Sequence, residues 1–286
     1  MNYNINHKLN LKVNFLCISS YNNNLDWLRK YKNPHIIYDK TWNGGYKDHY
    51  DIQKIKPSGL QKKYPEFNII NADINGYNIS DYFSYIIENF NNLPDHIVFM
   101  KGNTIGRHIS EEKFKRVVNN KYFTCIEDYT FHDQNQKSLR NGHALLSCDG
   151  GWMEKNTSWY LRHHLHPTKY FLSYNGFINF CFKNPVLPKY LRFPPGACYI
   201  VSKEQIYKYN KIFYQNLKTF ANHSRLSGEA HLIERSLYTI WNCDYEISEN
   251  MKSLIDEELF NFPSKYKKLF FNHISKLKFI IRNQLM

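Results

Sequence analysis

Apolar and polar positions alternate in short blocks over the first 110 residues, and the blocks read in turn as strands and helices. Val13 to Ile18 is an apolar run, predicted as a strand, that ends in the polar stretch "SSYNNN"; "LDWLRKY" then begins a helix. His35 to Tyr38 and Phe67 to Ile70 are the next two short strands. In "NISDYFSYIIENFNNLP" the apolar positions Tyr82, Tyr85, Ile86 and Phe90 fall on one face of a helix. Ser80 is the expected N-cap, and Leu93-Pro94 closes the segment. His96 to Met100 forms a fourth strand. Strand and helix alternating in this way predict an α/β fold with a mostly parallel central sheet flanked by helices.

From about Glu111 to Pro195 the pattern loosens into short aromatic-rich segments with polar turns. "RFPPGACYIV" then turns into a strand, and "SKEQIYKYNKIFYQNLKTF" is expected as a helix. "SGEAHLIERSLYTIW" is a second helix, with Ser227 as N-cap and Ile233, Leu237 and Ile240 as its buried stripe. No repeat or low-complexity linker divides the chain, so one domain over residues 1–250 is expected, followed by an appendage over 251–286. Within that appendage, Pro263 to Met286 has six Lys or Arg and no acidic residue. On a helix, Tyr266, Leu269, Phe270, Ile274, Leu277 and Ile281 share a face. A C-terminal basic amphipathic helix of this kind binds an anionic membrane surface or docks on its own domain.

Composition sharpens the partner more than the fold. The 286 residues carry a formal net charge of +13, which calls for an anionic partner, although AT-rich codons also favour Lys. The six cysteines are widely spaced with no C-x-x-C pair, as reduced core cysteines are. With neither an apolar leader nor a run of about 20 apolar residues, the expected location is cytoplasmic, peripheral at most on the inner face of the membrane.

The chemistry gathers at the end of the fourth strand, where Lys101, Asn103, Arg107 and His108 surround Gly102. In open parallel sheets, ligands bind at the C-terminal edge. Ser19, Ser20 and Tyr21 after the first strand, with Asp39 and Lys40 after the second, belong to the same edge. Glu229 lies within about 40° of Ile233 on a helix of 3.6 residues per turn, so a first-turn carboxylate leans toward the apolar side. Glu234 lies farther round, where pairing with Arg235 or Lys218 is the ordinary outcome. Asp149 precedes two glycines, and Glu127, Asp128, Asp133 and Glu154 are further acidic positions near turns. In "RHHLH" adjacent histidines point apart, which argues against a zinc site. Trp42, Trp152 and Trp159, set among polar residues, suit stacking on sugar rings.

The order of "NGYNISDYFSYIIENFNNLPDHIVFMKGN", "PPGACYIVSKEQI" and "GEAHLIERSLYTIW", over roughly Val13 to Trp241, resembles a largely uncharacterised bacterial family that is itself similar to GT-A-type nucleotide-sugar glycosyltransferases. The resemblance implies a GT-A-like fold and transfer of a sugar from a nucleotide diphosphate to a glycan or lipid-linked acceptor in surface polysaccharide biosynthesis. In the metal-dependent members an Asp-x-Asp stands where this chain has Lys101-Gly102-Asn103. Lys101, Arg107 and His108 are therefore expected to neutralise the diphosphate in place of a metal, with Gly102 allowing close approach. Ser19, Ser20, Tyr21, Asp39, Lys40 and Asn103 would contact the donor, and Glu229 or Asp149 would activate the acceptor. No cofactor is expected, Mg²⁺ or Mn²⁺ being the fallback should Asp149 be a ligand. The alternative class is a non-catalytic basic module for nucleic acid or anionic membrane. The aromatics show no RNP-like interleaving with Lys or Arg, so nucleic acid is not the expected partner.

Overall fold

The computed structural model describes residues 13–46, 54–128, 144–146 and 151–257. Six strands form the central sheet: β1 (Phe15–Ser20), β2 (His35–Asp39), β5 (Ile69–Asn71), β6 (His96–Lys101), β7 (Thr124–Cys125) and β11 (Tyr199–Ser202). Their order is β5-β2-β1-β6-β11-β7. β5, β2, β1 and β6 pair in parallel, and β11 runs antiparallel to both β6 and β7. The chain builds outward from β1 through β2 to β5, then returns to place β6 on β1's other side. That reversal opens a crevice beyond the C-terminal ends of β1 and β6, the switch point of the topology.

The period of two along the strands divides the core between the two faces. Leu16 and Ile18 of β1 with Val98 and Met100 of β6 face one cluster, closed by α1 (Leu60–Lys63) and α3 (Glu111–Val117). Cys17, Ile97 and Phe99 face the larger cluster, built with α2 (Tyr77–Glu88), α6 (Lys211–Asn222) and α7 (Gly228–Asn242). Lys101 continues the parity of Ile97 and Phe99, so it emerges on the face that carries α2 and α7.

Smaller elements complete the described residues. β3 (Gly45–Tyr46) pairs with β4 (Lys54–Ile55), and β8 (Ala144–Leu146), β9 (Trp152–Lys155) and β10 (Tyr190–Phe193) make an antiparallel sheet. α4 (Tyr174–Cys181) and α5 (Lys203–Tyr207) lie between them in the chain or follow β11. Cys17, Cys125, Cys181, Cys198 and Cys243 are free thiols.

Three local expectations are corrected. α2 starts at Gly76, which sits in the left-handed region at φ 69°, and not at Ser80, whose hydroxyl bonds Asn222 from inside the helix. The "SKEQIYKYNKIFYQNLKTF" segment is two helices, because Asn210 caps α6 by accepting from the Phe213 N–H. The stretch after β1 forms only a single short 3-10 turn, Asp26–Lys30. Ser227 caps α7 as expected, accepting from the Ala230 N–H, and Ile233, Leu237 and Ile240 are fully buried. Met251 is buried in the larger core and Ile255 packs against it, so the core continues past residue 250. The remainder of the appendage, including the basic helix expected over Pro263 to Met286, lies outside the described residues, as does Asp149. Among the described residues no helix is long and apolar enough to cross a membrane.

Candidate active site

A cavity of about 610 Å³ opens at the switch point. Tyr21 and Asn23 line it from the loop after β1, and Lys101, Asn103, Arg107 and His108 from the segment after β6. Tyr77, Asn78 and Ile79 come from the first turn of α2, Pro195 and Gly196 from the turn before β11. Arg225 and Leu226 precede α7, which itself supplies Ala230, His231 and Glu234.

The expected cations are brought together here, in unequal roles. Among the described residues, neither the Lys101 ammonium nor the Arg107 guanidinium makes a hydrogen bond or an ion pair. Burial pushes Lys101 below the ordinary lysine value, and Arg107 adds to this while Cys198, Glu234 and Glu127 oppose it. His108 is buried, with Nδ1 3.2 Å from Glu127 Oε2. Burial, reinforced by Lys101 and Arg107, outweighs Glu127 and lowers its pKa. At neutral pH His108 is therefore an uncharged ring and not the third cation. α2 supplies the remaining positive potential: its N-terminus has no side-chain cap and no acidic residue in its first turn.

The turn at Pro194-Pro195-Gly196 is pinned from both sides. Asn78 Nδ2 donates to the Gly196 carbonyl at 2.8 Å, and the Gly196 N–H donates to Glu234 Oε1. Backbone at Tyr77 (φ 51°) and Ala197 (φ 52°) occupies the left-handed region, which costs a non-glycine residue on the order of 1–3 kcal/mol. Both sites of strain border the cavity. Glu234 also accepts from Arg235 at 3.1 Å. Burial alone would raise its pKa, but the His231 imidazole and the charges of Arg235 and Lys101 hold it at about 2.

Several expected contacts are not at the cavity. Ser19, Ser20, Asp39 and Lys40 are buried beneath it, and each is already engaged. Lys40 Nζ bonds Asp81 Oδ1 at 2.8 Å and the carbonyls of Asp73 and Asn75, which ties β2 to the loop leading into α2. Ser19 donates to the other Asp81 oxygen, and Ser20 Oγ accepts from the Asn23 N–H. Asp39 accepts from Thr41 and Ser58. Gly102 does not open a path to the cavity: the space of its absent side chain is filled by Asn23, whose Oδ1 would be 2.8 Å from a Cβ there.

Glu229 is likewise fully buried and does not line the cavity. Its Oε1 accepts from the Lys169 and Tyr170 N–H groups at 2.8 Å each, and Oε2 lies 2.7 Å from His223 Nε2. The carboxylate is an anchor for the 169–171 loop, with no lone pair left toward an acceptor. Glu154 is held by Arg235 in a two-pronged pair at 2.9 and 3.0 Å, and Asp128 by Lys113 at 3.3 Å. Among the described residues no group of three or more His, Cys, Asp or Glu side chains is arranged to hold a metal ion. None of Trp42, Trp152 and Trp159 lines the cavity; its aromatic walls are Tyr21 and Tyr77.

Neither the curated proteins nor the solved structures compared with the chain show a match. A family profile does, across residues 19–253, which run from the end of β1 past the 3-10 turn Glu249–Met251 and so include every residue of the cavity. The chain belongs to that family, DUF3431, described as a protein of unknown function.

Proposed function

We propose that the protein is a GT-A-like glycosyltransferase that moves a sugar from a nucleotide diphosphate to a glycan or lipid-linked acceptor. The observation that carries this reading is the pair of cations, Lys101 and Arg107, neither of them held in a side-chain hydrogen bond or ion pair among the described residues, in a cavity at the sheet's switch point. At an effective dielectric of about 20, a phosphate oxygen about 4 Å from one such cation gains on the order of 4 kcal/mol. An exposed surface pair is worth roughly 0–1 kcal/mol, so the cavity and not the general surface charge selects the anion. The N-terminus of α2 adds N–H groups suited to phosphate oxygens. In glycosyl transfer, negative charge grows on the departing diphosphate, and fixed cations that meet it there stabilise the transition state with no reorganisation.

Lys101 and Arg107 would hold the diphosphate, with Asn103 and the first turn of α2 beside them. Tyr21 and Asn23 lie at the end nearest β1, where the nucleoside would enter. Ser19, Ser20, Asp39 and Lys40 support this edge from below instead of touching the donor. In the cell the reaction belongs to surface polysaccharide biosynthesis at the cytoplasmic side of a membrane, with the basic C-terminal segment as the attachment.

A panel of UDP-, dTDP- and GDP-linked sugars, each tested with and without excess EDTA, tests the reading. A bound donor at 100 times its dissociation constant should stabilise the fold by about 2.7 kcal/mol, and transfer should persist in EDTA. Activity that collapses in EDTA and returns with Mn²⁺ would contradict the fixed-cation mechanism and make Asp149 the leading ligand.

A further inference from the structure

Resting on the glycosyltransferase reading, we propose that His231 is the general base that takes the proton from the acceptor hydroxyl, with Glu234 as its positioning residue. The residue expected for this role, Glu229, stands two and five positions before the titratable residues of α7 that reach the cavity, on a different face of the helix. Glu229 is consumed in the 169–171 loop, whereas His231 and Glu234 line the cavity with side chains 20% and 15% exposed. Glu234 itself is a poor proton acceptor. Its oxygens already take the Gly196 N–H and the Arg235 guanidinium, and its low pKa leaves little affinity for a proton.

His231 has the complementary arrangement. Its Nδ1 lies 3.7 Å from Glu234 Oε2, and its Nε2 lies 3.1 Å from the Tyr77 hydroxyl. With the proton on Nδ1, toward the carboxylate, Nε2 carries the lone pair and accepts from Tyr77. An acceptor hydroxyl would take that place. The other groups around the ring are His166, tilted against it at 4.3 Å between centroids, and Arg235, which donates to the His231 carbonyl. His163 packs against His166 beyond it, the two rings tilted at 4.7 Å between centroids, and Lys101 and Arg225 share the cavity.

The acceptor O–H proton passes to Nε2, making an imidazolium beside the Glu234 carboxylate. The acceptor oxygen bonds to the anomeric carbon, and the bond from that carbon to the diphosphate oxygen breaks. The electron pair stays on the diphosphate, against Lys101 and Arg107.

The test uses the full chain, with UDP, dTDP and GDP as binding probes and their hexose conjugates as donors, water serving as acceptor. His231→Gln is expected to lower diphosphate release by about 10² or more, the scale of a lost general base, with nucleoside diphosphate affinity within twofold of wild type. The wild-type rate should fall along an acid limb that the variant lacks. Glu234→Gln, which keeps an acceptor for Gly196, should move that limb to lower pH. A His231→Gln rate within threefold of wild type overturns the proposal, as does a loss of diphosphate affinity parallel to the loss of rate. Binding by the wild type with no turnover of any donor also overturns it and leaves a binding cleft. Failure to bind any of the three diphosphates would instead sink the glycosyltransferase reading on which the base depends.

Discussion

At position 196 a side chain would collide with the cation next to it: a Cβ there would lie 2.5 Å from Lys101 Nζ. Gly196 also needs its φ of 80°, so its role is to let the turn pass under the Lys101 ammonium. Glu234 holds that turn in place, and its ionisation ties the cavity to stability. Its folded pKa lies below the ordinary glutamate value, so its contribution is present above about pH 4.5 and fades as pH falls toward 2. Glu234→Gln should therefore cost up to about 3 kcal/mol at neutral pH, with the gap to wild type closing between pH 4.5 and 2 in urea melts. A gap that stays constant over that range would show that the carboxylate's charge does not matter. The residue types at the end of β6 made Lys101, Asn103 and Arg107 legible from sequence. The cost of burial was not legible: Lys40, Asp39 and Ser19 read as ligands because nothing local revealed that buried partners would claim them.

Among the elements, α7 does the most to join the parts. Its inner stripe packs into the larger core while Arg235 reaches the small sheet, pairing with Glu154 of β9. The guanidinium also lies over Tyr160 and Phe193, 4.3 and 4.6 Å from their ring centroids. Arg235→Met would strand the buried Glu154 carboxylate, at a cost of about 3–5 kcal/mol. Amide exchange should then rise in β9 and β10 before it rises in β1 or β6. Uniform loss of protection across both sheets would contradict a separable attachment. The helix itself was readable from its 3.6-residue pattern and Ser227 cap. The start of α2 was not, because it depends on left-handed backbone at Gly76 and Tyr77 and not on a side-chain cap. A helical wheel also placed Glu229 correctly on the buried side, but only the tertiary fold puts the 169–171 loop there to consume it.

For the whole molecule, the alternation of strand and helix was enough to anticipate a mostly parallel sheet, at whose C-terminal edge the cavity lies. Chain order could not show which distant segments meet at that edge, so Tyr77, Gly196 and His231 were missed as cavity residues. The net charge of +13 is spread over the chain, yet the proposed function depends on two of those cations. Calorimetric titration of a nucleoside diphosphate and its parent nucleoside into wild type and Lys101→Ala, in EDTA, separates the two contributions. The account predicts that the substitution weakens the diphosphate at least tenfold, about 1.4 kcal/mol, and leaves the nucleoside unchanged. Equal loss for both ligands, or wild-type affinity that does not distinguish diphosphate from nucleoside, would contradict it.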